Sequence, residues 1–428
     1  MSMSGNTMLK NLDWLTVLLY VLLVLFGWVT IYSTSLSEEE YSLLNFSTLY
    51  GKQLFFIVLT FIFIGLILSV DNDFYERFSS LFYVISIILL IGLFVLGKTK
   101  GGATSWYDLG FFDFQPSELG KLTTALALAK YLSDIQVDIQ TIRHQLYGLI
   151  IILIPTLLIL PQPDPGSALV YFSLFFVLFR EGFSLKYLLF SFLAIILFIT
   201  TLKFGMVWVG IALGILTSFI FLFKKPNLKI PLLPLAIFLV LCIAFSFSVN
   251  FVYEHIFEQR HRDRFSLWLS LEEDPKRLEQ IKKTIGYNTY QAEKAIESGG
   301  VLGKGFLQGT RTKGDFVPEQ HTDYIFSSVG EEWGFVGTTT IILIFTLFFM
   351  RLIQLAERQK RDFSRIYGYG VISILLIHYF VNIGMVIGLL PTIGIPLPFF
   401  SYGGSGLIFF SAMLFIFLKL DATRLREM

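Results

Sequence analysis

Residues 115–121 read QPSELGK and set an acid, Glu118, three positions before a cation, Lys121. On a helix that spacing puts both on one face, where they can pair. Pro116 suits an early helical position, and Ser117 and Glu118 suit a positive helix N-terminus. A capped helix start explains those three but not Lys121, which is followed by an apolar run from Leu122. QPDPGS, 162–167, places Asp164 between two prolines, either as a turn residue or as a polar group in an apolar stretch. PEQHTDYIFSSVGEEWGF, 318–335, puts His321, Thr322 and Asp323 at a loop-to-helix boundary, where Thr322 or Asp323 suits an N-cap. Glu331 and Glu332 then fall two turns inside an apolar helix, so one of them should face a cavity or a cation. HYFVNIGMVIGLLPTIGIPLPFFSYGGSG, 378–406, spaces His378 and Asn382 one turn apart and continues into prolines and glycines. Such breaks at membrane depth mark cavities, where irregular backbone is tolerated. A last stretch, SLEEDPKRL, 270–278, holds Glu272, Glu273 and Asp274 before Pro275. These acids are either a wet charged face or include one proton acceptor.

The elements that must position these groups are membrane helices. The chain has 428 residues, 54% hydrophobic and 15% charged, with a mean hydropathy of +0.69. Soluble domains carry nearer a quarter charged residues, so the class is an all-α polytopic membrane protein. In that setting each intramembrane ionisable group is a functional-site candidate. The net charge of +1 argues against a nucleic-acid partner, and the single cysteine, Cys242, excludes an intrachain disulfide or a cysteine-based metal cluster. The run from Trp14 to Ile31 is too long for a signal-peptide core and reads as a retained first helix.

Apolar runs lie at 14–32, 53–70, 80–96, 117–133, 147–160, 167–180, 186–202, 206–223, 230–249, 325–350, 367–390 and 403–419, which predicts about twelve helices. The domains expected are membrane helices over 1–249, a large outer loop over 250–324, and C-terminal helices with a tail over 325–428. Short-loop cations set the orientation. Arg77, Arg143, Arg180, Lys186, Lys224, Lys225, Lys229, Arg358, Lys360, Arg361, Arg365, Arg424 and Arg426 fall on the side of the N-terminus. Both termini are therefore expected in the cytoplasm, with 250–324 outside. From Phe251 to His321 this loop balances eleven Lys/Arg against eleven Asp/Glu. Glu279 and Lys283 at i,i+4 predict short surface helices, and GGVLGKGFLQGT predicts repeated turns.

In this order, QPSELGK, QPDPGS, the glycine-rich loop with VPEQHTDYIFSSVGEEWG, and NIGMVIGLLPTIGIPLPFFSYGGSG resemble the signatures of the SEDS family (shape, elongation, division and sporulation proteins). The resemblance covers nearly the whole chain, and SGGVLGKGFLQGTRTKGDFVPEQHTD is more similar to the elongation branch, RodA, than to the division branch, FtsW. It implies a SEDS-type bundle, a family core of ten helices plus an added pair at 206–223 and 230–249. It also implies a peptidoglycan glycosyltransferase that polymerises lipid II at the outer face of the bacterial cytoplasmic membrane. Implied partners are a class B penicillin-binding protein and other elongation-complex proteins. The family's proposed catalytic acid, an Asp before Pro in the outer loop, falls on Asp274. Two departures stand out. KRLEQIKKTI separates Asp274-Pro275 from Gly286-Tyr287, and Ser105 replaces the usual Arg before Trp106.

The chemistry so implied is inverting transfer with one general base. The substrate-binding candidates are Lys121, Glu118, Trp106, Arg264, Lys304, Asp164, His321, Asp323 and Ser401. Lys121, Lys304 and Arg264 are set against the pyrophosphate, with Arg262 and Arg311 behind them. Glu331, Glu332 and Asn382 are assigned to lining or bracing. A divalent cation, Mg or Mn, could share the neutralisation. The competing readings are a lipid-linked-precursor flippase, an FtsW-like division polymerase, and a non-catalytic scaffold.

Overall fold

The computed structural model describes residues 9–36, 45–100, 102–110, 112–222, 232–284, 286–314, 316–317 and 319–424. Lys224, Lys225, Lys229 and Arg426, used above to orient the chain, lie outside the described residues. A helix sits on each of the twelve apolar runs. Among the described residues, nine helices are long and apolar enough to cross a membrane. The runs that fall short are covered by Pro116–Leu132, by Pro165–Phe172 with Phe175–Arg180, and by Met206–Leu222.

Packing divides the chain into two units, Met1–Phe183 with Asn288–Met428, and Ser184–Tyr287. This differs from the expected boundaries at 249/250 and 324/325. Hydropathy marks where the chain leaves the apolar layer, whereas packing marks which helices a loop returns to. The segment 250–324 is consequently shared, its first part belonging to the second unit and its remainder to the first.

In the first unit, helix starts follow local chemistry. Asp13 accepts a hydrogen bond from the Thr16 amide before Trp14–Ser35, and Thr48 accepts one from the Gly51 amide before Leu49–Ser69. Proline occupies the first turn of Pro116–Leu132 and of Pro165–Phe172, where its missing N–H costs nothing. Of the nine helices long and apolar enough to cross a membrane, Gly404–Thr423 is the most buried, with 83% of its apolar window enclosed against 22% for Asn72–Leu96. Both are apolar, so hydropathy alone does not rank them; lipid and protein are alike to a leucine. Interhelical polar contacts occur within the apolar interior, such as Tyr20 Oη to Ser411 Oγ at 2.9 Å and Tyr367 Oη to the Met413 carbonyl at 3.1 Å.

One element was not expected. Lys98–Lys100, Ala103–Asp108 and Asp113–Phe114 form a small antiparallel sheet in the connection to Pro116–Leu132. Lys98 pairs Trp106 and Tyr107 pairs Phe114 across it. The Tyr107 hydroxyl donates to the Leu89 carbonyl at 2.8 Å, which ties the sheet to Asn72–Leu96.

The second unit contains Leu185–Phe204, Met206–Leu222 and Leu232–Phe251, the last extended by a π turn over Val252–Ile256. Leu197, Val209 and Cys242 form its small core, and Thr201 Oγ1 bonds Ser246 Oγ at 3.1 Å. Most other apolar side chains here are exposed, as lipid-facing residues are. The expected short surface helices follow as Gln259–Leu269 and Pro275–Lys283.

Candidate active site

The irregular backbone between Asp362–Val386 and Gly404–Thr423 is the hub of the first unit's polar residues. Two side chains of Asp362–Val386, one turn apart, hold it. His378 Nδ1 lies 3.2 Å from the Pro396 carbonyl. The Asn382 amide donates to the Ile395 carbonyl at 2.7 Å and to the Asp323 carbonyl at 2.8 Å. Ser401 Oγ donates to the Thr322 carbonyl at 2.6 Å and accepts from the Leu397 amide at 2.8 Å. The Tyr402 amide donates to the His321 carbonyl at 2.8 Å, while His321 Nδ1 meets Thr34 Oγ1 at 3.0 Å. The backbone carbonyls freed where the helix breaks thus find partners within protein, as membrane depth requires. Neither Thr322 nor Asp323 is an N-cap; Tyr324 precedes the helix Ile325–Glu357.

Lys121 and Glu118 pair as their spacing predicts. Nζ lies 2.6 Å from Glu118 Oε1 and 3.0 Å from His378 Nε2, and all three residues are buried. The ammonium also stands over the Phe410 ring, 5.7 Å from its centroid. Asp164 caps Pro165–Phe172 by accepting from the Ser167 amide at 2.9 Å, and its other oxygen accepts from Gln115 at 3.3 Å. QPSELGK and QPDPGS therefore meet. Ser117 and Ser167 hydroxyls are 3.3 Å apart, and the buried Tyr171 hydroxyl donates to the Ser117 carbonyl at 2.9 Å. Ser405 Oγ donates to the Asp113 carbonyl at 2.7 Å, so the sheet that carries the half-buried Trp106 is tied to the same end of the bundle.

Of the neighbouring acids Glu331 and Glu332 in Ile325–Glu357, Glu331 meets the cation. Its carboxylate lies 2.6 Å from Lys304 Nζ and accepts from the amides of Thr310, Arg311 and Thr312 at 3.0, 3.0 and 2.9 Å. Lys304 also donates to Thr310 Oγ1 at 2.7 Å, and Arg311 donates to Gln291 at 2.6 Å. Lys304 and Arg311, two of the nominated phosphate partners, are therefore engaged by protein groups. Glu332 accepts from the Ser33 hydroxyl. The roles of Ser33 and Thr34 were missed in the sequence; a short hydroxyl residue inside an apolar helix usually bonds its own backbone and gives no distinct signal.

Asp274 and Arg264 belong to the second unit. Asp274 is the N-cap of Pro275–Lys283, exposed, with Oδ1 accepting from the Lys276 amide at 3.0 Å. Glu272 is less open than a wet face implies. Its side chain is 16% exposed, pairs Arg277 at 3.1 Å and accepts from the Asp274 amide at 3.3 Å. Glu273 is exposed. Residues 276–283 supply the rest of this capped helix, with the Glu279–Lys283 ion pair at 2.6 Å. Lys283 holds the Glu279 carboxyl below its usual value. Arg264 lies half-buried on Gln259–Leu269, and Arg262 donates to the Glu254 carbonyl at 3.2 Å. Among the described residues, no three His, Cys, Asp or Glu side chains are grouped to hold a metal ion.

The model of the cell cycle protein family FtsW/RodA/SpoVE matches residues 13–226 and 209–425. The peptidoglycan glycosyltransferase MrdB of Escherichia coli is 34% identical over 82% of this chain and 79% of its own. The peptidoglycan glycosyltransferase RodA of Treponema pallidum is 30% identical over 93% of this chain and 94% of its own. A chain in a solved peptidoglycan synthase complex that coordinates polymerisation and crosslinking superposes with a TM-score of 0.69 at 26% identity, covering 97% of this chain and 99% of that one. The fold is also that of Thermus thermophilus RodA, with a TM-score of 0.62, 24% identity and coverage of 96% and 97%. The chain belongs to the FtsW/RodA/SpoVE family and is a multi-pass membrane protein.

Proposed function

We propose that this chain polymerises lipid II into glycan strands during cell elongation, as a peptidoglycan glycosyltransferase of the bacterial cytoplasmic membrane. Both termini lie in the cytoplasm and the active site faces outward. The observation that carries the reading is the buried Lys121–Glu118 pair beneath broken, internally satisfied backbone, in a chain similar along most of its length to MrdB and RodA. An intramembrane cation is costly and is by default a candidate site for an anionic substrate group. Here that group is the pyrophosphate of an undecaprenyl-linked disaccharide.

In the reaction, the acceptor sugar's hydroxyl oxygen bonds to the donor's anomeric carbon as the bond from that carbon to pyrophosphate breaks. The leaving group departs as undecaprenyl pyrophosphate, and the hydroxyl proton goes to Asp274 as general base. Attack opposite the leaving group inverts the anomeric centre. Lys121, Lys304 and Arg264 supply positive charge for the pyrophosphate. Glu118, Trp106, Asp164, His321, Asp323 and Ser401 shape the site around the sugars and lipid headgroup. For Mg or Mn we assign no ligand set in the protein; pyrophosphate's own oxygens are the donors such an ion would use. The crosslinking partner is a class B penicillin-binding protein, held within the elongation complex. A similar chain in a synthase complex supports that pairing.

The cap geometry of Asp274 dictates the test. Asn and Ser cap a helix about as well as Asp, whereas Ala costs roughly 1 kcal/mol. Purified protein with its penicillin-binding partner and lipid II should give polymer, and Asp274→Asn, Asp274→Ser and Asp274→Ala should each give none while folding normally. Polymer from the Asn variant would reduce Asp274 to a helix cap. Lipid moved across vesicles without polymer would favour a precursor flippase instead.

A further inference from the structure

We propose that His378 is a positioning residue for the glycosyl transfer: it fixes the Lys121 ammonium relative to the irregular segment around Pro396. The inference deepens the reading above, since it rests on Lys121 meeting the pyrophosphate.

The argument begins with protons. Lys121 Nζ lies 3.0 Å from His378 Nε2, and an ammonium can only donate. Nε2 must therefore offer its lone pair, which places the imidazole proton on Nδ1. Nδ1 lies 3.2 Å from the Pro396 carbonyl, an acceptor, so one neutral tautomer satisfies both contacts. An imidazolium would set an N–H against the ammonium. The ring is held in this orientation by an edge-on contact with Phe410, centroids 4.8 Å apart, and Phe410 also lies under the lysine.

Glu118 does not hold Lys121 in this way. The two are on the same helix, so their pairing restrains the ammonium only relative to Pro116–Leu132. Among the described residues Glu118 Oε2 is buried with no hydrogen-bond partner, so the carboxylate itself is not braced from its far side. His378 provides the hydrogen bond from the lysine to another element, where the Phe410 ring offers only a non-directional contact. Asn382, one turn along, grips Ile395 and Asp323 from the same helix. Asp362–Val386 thus holds the irregular segment at two successive carbonyls, and only the His378 grip also reaches a cation.

The test uses side chains that keep or break this bridge. A Gln amide presents an acceptor and a donor about as the two ring nitrogens do, whereas Asn falls one methylene short. Lipid II polymerisation by the complex with its penicillin-binding partner should show His378→Gln within about threefold of wild-type kcat. His378→Asn should lose tenfold or more in kcat with KM within about threefold, because charge on the leaving pyrophosphate grows in the transition state. Thermal midpoints of the two amide variants in detergent should agree. Equal kcat for Gln and Asn, whether both high or both low, overturns the inference. Lys121→Met separates the two ideas. If it stays active, the pyrophosphate role of Lys121 fails and this inference with it. If it is dead while Gln and Asn match, His378 alone is wrong.

Discussion

Glu331 shows how a buried acid can be structural. Its carboxylate is fully enclosed and collects three backbone amides and the Lys304 ammonium, which together satisfy the start of the short helix Thr310–Lys313. Removing one partner of a buried ion pair strands the other. Glu331→Ala should therefore destabilise the protein by about 3–5 kcal/mol, read as the thermal midpoint in detergent. Lys304→Ala should cost less, because its ammonium is partly exposed and three amides still hold the acid. Equal losses for the two would mean that the amides contribute little. The same comparison bears on function. Lys304 already gives N–H donors to Glu331 and Thr310, and Lys121 to Glu118 and His378, which leaves each ammonium one further N–H for a phosphate.

Among the elements, Ile325–Glu357 is held by its own interruption. Gly334 has φ 61° and ψ −156°, and the backbone there turns to pair with the glycine-rich passage. Lys304 and Gly305 amides donate to the Glu331 and Glu332 carbonyls at 3.0 and 2.9 Å, and Phe335 and Val336 amides donate to Gly300 and Val301 at 2.9 and 3.1 Å. A Cβ at Gly334 would stand 2.3 Å from the Gly303 nitrogen, and one at Gly303 would stand 2.1 Å from the Glu332 carbonyl oxygen. Strain of this kind costs of order 1–3 kcal/mol before any clash is counted. Gly334→Ala or Gly303→Ala should lower the thermal midpoint and speed amide exchange over 300–306 together, since one pairing serves both segments. Exchange unchanged in that passage would mean the pairing is not what orders it.

For the whole molecule, the end of the first unit opposite the sheet is tied by charge. The Arg351 guanidinium donates to Asp13 at 3.1 Å, Gln359 donates to the buried Asp421 at 2.8 Å, and Arg358 also bonds Asp421. Burial pushes the Asp13 carboxyl up, but Arg351 and Thr16 outweigh it and hold it down at about 2. A carboxyl lowered on folding stabilises fully above its ordinary value of 3.8 and loses that contribution as pH falls through about 2. Wild type should accordingly unfold at a higher temperature than Asp13→Asn near neutrality, with the gap closing below pH 3.8. A gap constant with pH would sever Asp13 from this effect. Sidedness is testable in the same unit. The strand residue Thr99 and the fully exposed Ile135 lie at opposite ends of Pro116–Leu132. With Cys242 replaced by Ala, a membrane-impermeant maleimide on intact cells should label Thr99→Cys and spare Ile135→Cys. The reverse pattern would invert the topology.

Much of this was legible in the sequence because its causes are local. Apolar length predicts helices wherever lipid leaves the backbone no other partner. Helix geometry brings Glu118 to Lys121 and Glu279 to Lys283, and proline at a first turn needs no tertiary help. The glycine-rich passage turns as its composition demands, with Gly300, Gly303 and Gly305 all at positive φ. What only the tertiary structure decided depends on residues far apart in the chain. His378 reaches Lys121 across 257 positions, Ser33 reaches Glu332 across 299, and Lys304 meets Glu331 rather than Glu332 across 27. The sheet at 98–114 escaped notice because its strands are short and cross only near a helix end. Which of the long apolar helices is most buried was equally hidden, since an apolar face turned to lipid reads the same as one turned to protein.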